Sequence, residues 1–69
     1  MNSFDTKAYL VRAVEDNPRA ELSITRGNVW SINGRTVTIM EDGTLTNSKI
    51  AQRVTDYQDV SHFVSTMAR

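Results

Sequence analysis

The sequence predicts one α+β domain, a two-layer sandwich in which an N-terminal helix, an antiparallel meander of three to four strands and a C-terminal helix follow in that order. Three observations predict this fold. Apolar residues recur at helical spacing at both ends of the chain, they alternate with polar residues in the middle, and turn-forming residues divide that middle into strands. The length of 69 residues allows a single domain over 1–69.

The first helix is predicted over about residues 4–16. Its apolar residues recur every three or four positions, which predicts a face that packs against the sheet. Ser3 is the expected N-cap, and Asn17-Pro18 ends the helix because the residue before a proline avoids helical geometry. The residues predicted to form the packed face are Phe4, Ala8, Leu10, Val11 and Val14.

Residues 21–47 alternate between β-branched or apolar residues and hydroxyl residues, with turn signals between them. The strongest signal is Asn33-Gly34, because a two-residue type I′ turn needs positive φ at both positions. This turn places Ile32 opposite Arg35. It also places Trp30 opposite Val37, which predicts a core position for the tryptophan.

Three-residue loops on either side of this hairpin, with Gly43 in the left-handed conformation, give the sheet one apolar face and one hydroxyl-rich face. The apolar face is Leu22, Ile24, Trp30, Ile32, Val37, Ile39 and Leu45. The opposite face is Ser23, Thr25, Val29, Ser31, Thr36, Thr38, Met40, Thr44 and Thr46.

The tail from Ser48 carries apolar residues at helical spacing, but the capping pattern Asp56 to Asp59 indicates a helix that begins near residue 56. Residues 48–54 are then a short helix or an extension of the last strand. A continuous helix would be roughly 30 Å long, so part of its stripe would overhang the sheet and be free for a partner or for self-association. The stripe is Ile50, Val54, Tyr57, Val60, Val64 and Met67.

Composition disfavours several classes of protein. Eight basic residues balance eight acidic ones, whereas nucleic-acid binding usually needs a basic excess. The chain has no cysteine, so it can form neither disulfides nor thiolate sites. This fits a protein that folds in a reducing compartment, and a cytoplasmic location is expected. No membrane association is expected, because no apolar run approaches the roughly 20 residues of a span. The near-zero net charge leaves a homodimer open.

No constellation of residues predicts catalysis, so we expect neither an enzyme nor a cofactor. His62 is the single histidine, with Asp59 three positions before it, and zinc requires three or four ligands. Ser61 and Ser65 flank His62 without the strained turn that exposes a serine nucleophile. No metal site is expected either.

The leading hypothesis is a small non-enzymatic protein-binding module, an accessory inhibitor or adaptor of phage or mobile-element type that occludes a surface of a larger partner protein. A domain of this size can present about 800 Å² to a partner, which suffices for a specific interface. We expect the contacts around the turns, the sheet edge and the C-terminal segment. The predicted contact residues are Arg26, Arg35, Glu41, Asp42, Arg53, Tyr57 and His62.

The alternative is a small DNA-binding regulator that uses residues 48–67, because this segment has the rhythm of a helix-turn-helix. Lys49 and Arg53 would contact phosphates. Against this alternative, the expected turn glycine is missing, and Asp56 and Asp59 would face the phosphate backbone.

Overall fold

The computed structural model describes residues 1–69 and has an antiparallel sheet of five strands with two helices against one face. Each strand pairs with its neighbour in sequence, in the order β1-β2-β3-β4-β5. The predicted helix–meander–helix fold is confirmed, with five strands in place of three to four because residues 51–52 pair with β4. The elements are α1 Ser3–Glu15, β1 Leu22–Arg26, β2 Val29–Ile32, β3 Arg35–Ile39, β4 Leu45–Thr46, β5 Ala51–Gln52 and α2 Tyr57–Met67.

The central hairpin has the register that its turn residues predict. Asn33 has φ 52° and Gly34 has φ 79°, as a type I′ turn requires. Both predicted pairs are present, Ile32 with Arg35 and Trp30 with Val37. The hydrophobic alternation therefore sends the predicted apolar set toward the helices.

The core lies between the sheet and the two helices. Five of the seven predicted apolar sheet residues are buried, Leu22 is half-buried, and Ile24 is 61% exposed because β1 is the outermost strand. The buried hydrophobic cluster is Leu10, Ala13, Trp30, Ile32, Val37, Ile39, Leu45, Val54, Val60, Phe63, Val64 and Met67.

Side-chain caps begin both helices. Asp56 caps α2 as its sequence pattern predicts, accepting a hydrogen bond from the Asp59 N–H at 3.1 Å. For α1 the predicted cap is wrong by one residue. Asn2, and not Ser3, accepts the hydrogen bond from the Asp5 N–H, at 2.9 Å.

The face of α1 that packs against the core differs in part from the predicted one. As predicted, Leu10 is buried and Val14 is half-buried against the core. Thr6, Leu10 and Ala13 are buried. Phe4, Ala8 and Val11, which helical spacing predicts to be in the core, are exposed. The two sets are offset by two positions, about 200° around a helix, so they lie on nearly opposite sides of α1.

A hydrogen bond from Thr6 helps to hold α1 in this orientation. Its hydroxyl is fully buried and donates a hydrogen bond of 2.8 Å to the carbonyl oxygen of Gly43 in the β3–β4 turn. The Ser3 N–H also donates to the Glu41 carbonyl in this turn, at 3.2 Å. Gly43 has φ +89°, and a Cβ at this position would lie 2.8 Å from the Thr6 hydroxyl oxygen, so the turn accommodates glycine only.

Residues 48–54 are not helical, so the helix-turn-helix prediction for 48–67 is wrong. The Asn47 side-chain oxygen accepts hydrogen bonds from the Lys49 N–H at 2.8 Å and the Ile50 N–H at 2.9 Å. These bonds fold a tight turn that returns the chain as β5. The segment therefore has no first helix.

The predicted overhang of a long C-terminal helix is absent as well. α2 has 11 residues, which matches the predicted break near residue 55. Val54 and Met67 are buried, Tyr57 is half-buried, and Ile50 is exposed on the β4–β5 turn. The apolar stripe is thus used mainly in the core.

We expect Gly43→Ala to destabilise the protein more than Gly27→Ala. Both glycines have positive φ, so alanine at either position costs about 1–2 kcal/mol of unfolding free energy. Only at Gly43 would the added Cβ also clash with Thr6, because no atom lies within 4 Å of a Cβ at Gly27. Urea unfolding of the two variants measures the difference, and equal destabilisation would contradict this account of how α1 docks.

Candidate binding surfaces

The sheet face opposite the helices is uncovered and rich in hydroxyl groups. Ser23 lies opposite Ser31, which lies opposite Thr36, so hydroxyls form a row across three strands. Apolar side chains on this face are Val29, 37% exposed, and Met40, 46% exposed. A face of this composition is stable in contact with water.

A groove opens in the sheet where β3 extends beyond β4. The ladder between these strands has two residue pairs, so the backbone of residues 35–37 has no partner on the β4 side. The groove has a volume of about 680 Å³ and is lined by Arg35, Lys49, four Ser/Thr hydroxyls, Asn47 and Met67. It contains two cations and no carboxylate, which favours anions.

At the other end of the sheet, Asp42 stabilises the β3–β4 turn. Its carboxylate accepts a hydrogen bond from the Thr44 N–H at 3.0 Å. This bond, together with one from the Thr44 side chain, lowers the pKa of Asp42, and the positive charge of Arg53 lowers it further. Asp42 and Arg53 line one shallow pocket. The local hydrogen bonds explain this carboxylate as a turn residue.

Tyr57 is half-buried and makes several contacts within the chain. Its hydroxyl donates a hydrogen bond of 2.6 Å to the Asp16 carboxylate, and the Arg12 guanidinium carbon lies 4.5 Å from its ring centroid. Its ring meets that of Tyr9 edge-on, with centroids 5.7 Å apart. These contacts tie α2 to α1, a role that the sequence did not indicate because Asp16 is 41 positions away.

The predicted contact residues do not form one surface. Arg26, the last residue of β1, lies at the same end of the sheet as the turn residues Glu41 and Asp42, and Arg53 lies near Asp42. Arg35 lies in the groove near the opposite end. The two on α2 are Tyr57, at the helix N-terminus, and His62, which is exposed.

The outer ridge of α1, defined as Phe4, Ala8 and Val11, is the surface that sequence analysis missed. Phe4 is the most exposed large apolar residue in the chain, at 77%. Ala8 and Val11 follow at positions i+4 and i+7, so the three side chains share one stripe. Helical spacing alone could not show whether this stripe or the one with Leu10 and Ala13 faces the core, since apolar residues recur every three or four positions in both.

β1 forms an open edge of the sheet. Four of its five residues are exposed, and the opposite edge strand, β5, has two residues. The Asn33 N–H donates to the Glu21 carbonyl at 2.9 Å, so the backbone groups of Glu21 point toward β2. Because backbone direction alternates along a strand, the N–H and C=O groups of Leu22 and Ile24 point outward.

No group of three or more His, Asp or Glu residues is close enough to hold a metal ion. Neither helix has the length and hydrophobicity needed to span a membrane. Comparison with protein-family models, with curated proteins and with solved structures finds no match to this chain.

The Tyr57–Asp16 hydrogen bond gives a testable pH dependence. Donation to Asp16 is the main cause of a pKa of Tyr57 above its ordinary value of 10.0. The folded state therefore favours the protonated phenol, so this contribution is complete below pH 10.0 and is lost as pH rises through the raised pKa.

We expect the stability advantage of the parent protein over Tyr57→Phe to shrink in alkaline solution, measured by urea unfolding across pH. Tyr9→Phe is the matched control, because it removes a phenol from the same cluster but leaves the bond to Asp16. It should show the same alkaline decrease in stability as the parent. An identical alkaline decrease in Tyr57→Phe would contradict the assignment.

Proposed function

We propose that this chain is a small non-enzymatic protein-binding module that acts in the cytoplasm. It is an accessory inhibitor or adaptor, of the kind that phages and mobile elements encode, and it occludes a surface of a larger protein partner. The observation that carries this proposal is the outer ridge of α1. An aromatic side chain that is 77% exposed on a regular helix contributes nothing to the core, and aromatic residues carry much of the energy of protein interfaces.

The ridge has the spacing of a helix that binds in a hydrophobic groove. Phe4, Ala8 and Val11 stand at i, i+4 and i+7, the positions that anchor such helices. They cover about 10 Å of helix length. The small side chain of Ala8 lets a partner approach the backbone between the two larger anchors.

The charges around the ridge favour a protein over a membrane surface. α1 carries two basic residues, Lys7 and Arg12, and two acidic residues, Asp5 and Glu15, so its net charge is zero. Helices that bind anionic membranes are rich in Lys and Arg on their polar side. A rim of both signs is typical of a protein interface, where it fixes orientation.

We expect Phe4→Ser to weaken binding to the protein partner by at least about 30-fold, the effect of removing an interface hot spot. Folding should be almost unaffected, because an exposed side chain contributes little to stability. Met40→Ser is the matched control, since it removes another exposed apolar side chain, 46% exposed, from the uncovered sheet face. Its affinity should remain that of the parent.

The measurement is an affinity pull-down of tagged parent, Phe4→Ser and Met40→Ser chains from host lysate with and without nuclease treatment, followed by binding titrations with the purified partner. The proposal predicts a stoichiometric protein that the parent and Met40→Ser retain and Phe4→Ser does not. Equal retention by Phe4→Ser would refute the role of the ridge. Recovery of nucleic acid alone, removed by digestion, would refute the protein-binding function.

Binding of nucleic acid is the second candidate function, and the groove favours it. Arg35 and Lys49 line the groove with four hydroxyls and no carboxylate. Cations attract phosphates, and hydroxyls can donate hydrogen bonds to them. This candidate uses the sheet and not a helix-turn-helix.

For this candidate, we expect the double change Arg35→Ala and Lys49→Ala to weaken binding of a single-stranded oligonucleotide. It should also reduce the slope of log affinity against log salt by about 0.7 for each phosphate that the variant no longer neutralises. Arg19→Ala with Arg26→Ala removes the same charge outside the groove and is the control. Fluorescence anisotropy over a range of salt concentrations measures both slopes, and equal changes in the two variants would exclude a specific role for the groove.

A further inference from the structure

We infer that the open edge of β1 is a self-association surface, on which a second copy of this chain pairs antiparallel to form one continuous sheet. The outward N–H and C=O groups of Leu22 and Ile24 are unpaired within the chain, and a strand edge of this kind accepts another strand. Ile24 is 61% exposed on the side of the sheet that carries the helices. A second β1 supplies both the missing hydrogen bonds and an apolar neighbour.

The symmetry of such a dimer restricts its register. Two adjacent antiparallel copies are related by a two-fold axis perpendicular to the sheet. This axis passes midway between a residue of one copy and the same residue of the other, and each side chain stays on the same face of the combined sheet. With the axis at Ser23, Leu22 of one copy lies opposite Ile24 of the other, twice. The backbone N–H and C=O groups of both residues point away from β2, so the two pairs together form about four backbone hydrogen bonds between the copies.

The β-bulge at the end of β1 selects this register over its neighbour. Ile24 pairs with Trp30 but Arg26 pairs with Val29, so Thr25 is an extra residue that bends the strand. An axis at Ile24 would require Arg26, beyond the bulge, to pair with Leu22. An axis at Ser23 places both hydrogen-bonded pairs, Leu22 with Ile24, in the regular part of the strand before the bulge.

Charge complementarity also favours a second copy. The pairing segment 22–24 has no charged residue, and the chain has a formal net charge of +0 at neutral pH, so no net charge opposes association. In the Ser23 register, Glu21 of one copy lies opposite Thr25 of the other, next to Arg26. Opposite charges thus meet at both ends of the new ladder.

The expected dimer is weak and depends on concentration. One short strand pair buries less than the roughly 1,200 Å² typical of stable complexes. The dimer would present two outer ridges, which increases avidity for a partner with two sites. This last consequence rests on the proposed function, whereas the dimer itself does not.

A single engineered cysteine tests the register, because the chain has no cysteine of its own. Ser23→Cys places two thiols on the axis in a non-hydrogen-bonded pair, whose Cα separation of about 4.5 Å fits a disulfide. Mild oxidation should give a covalent dimer. Thr25→Cys, on the same exposed strand, faces Glu21 of the second copy and should stay largely uncrosslinked.

Sedimentation over a range of concentrations tests association without a cross-link. The mass of the parent and of Phe4→Ser should rise with concentration, while Ile24→Lys should remain a monomer, because a lysine on an edge strand opposes pairing. Urea unfolding confirms that Ile24→Lys is folded.

Three outcomes overturn the inference. One is a parent that stays monomeric and a Ser23→Cys chain that does not cross-link. Another is equal cross-linking of Ser23→Cys and Thr25→Cys. The third is association that Phe4→Ser abolishes and Ile24→Lys preserves, which would make the outer ridge the contact between copies.

Discussion

The docking of α1 on the β3–β4 turn is the contact that sets which side of this helix faces the core and which side is left in solvent. The buried hydroxyl of Thr6 donates to the Gly43 carbonyl, and the backbone of Ser3 donates to that of Glu41. A buried polar group without a partner costs about 1–3 kcal/mol, so this bond is what allows the side of α1 that carries Thr6 to face the core. The rotation so defined buries Leu10 and leaves Phe4 in solvent.

Two contacts between residues far apart in the sequence hold the helices in place. At one end of α1 is the bond from Thr6, and near the other end Tyr57 is held by Asp16 and Arg12. With both helices on one face, the hydroxyl face of the sheet remains open. A domain of this length buries only part of the surface of its unfolded chain. The outer ridge, the groove and the β1 edge also stay exposed to solvent.

Local chemistry made the sheet predictable. Asn33-Gly34 specified the hairpin because few residues adopt positive φ, and a one-residue slip would have sent the apolar set to the opposite face. The cap at Asp56 likewise indicated the start of α2 from local sequence, because its side chain accepts a hydrogen bond from an N–H only three residues away. The packed face of α1 was not predictable in this way. Two stripes on one helix both had correct spacing, and the choice depended on a partner 37 positions away.

The helix–meander–helix order, the register of the central hairpin and the apolar face of the sheet could be read from the sequence, because they follow from φ preferences and from a two-residue alternation. The fifth strand, β5, could not be read in this way, since residues 48–54 fitted a short helix or a strand. Which side chains are available for binding emerged only in the folded chain. A side chain is exposed when no other part of the folded chain packs over it, so its exposure depends on contacts between residues that are distant in the sequence. For this reason Tyr57, chosen from sequence as a contact residue, is bound to Asp16, while Phe4, predicted to be in the core, lies on the surface.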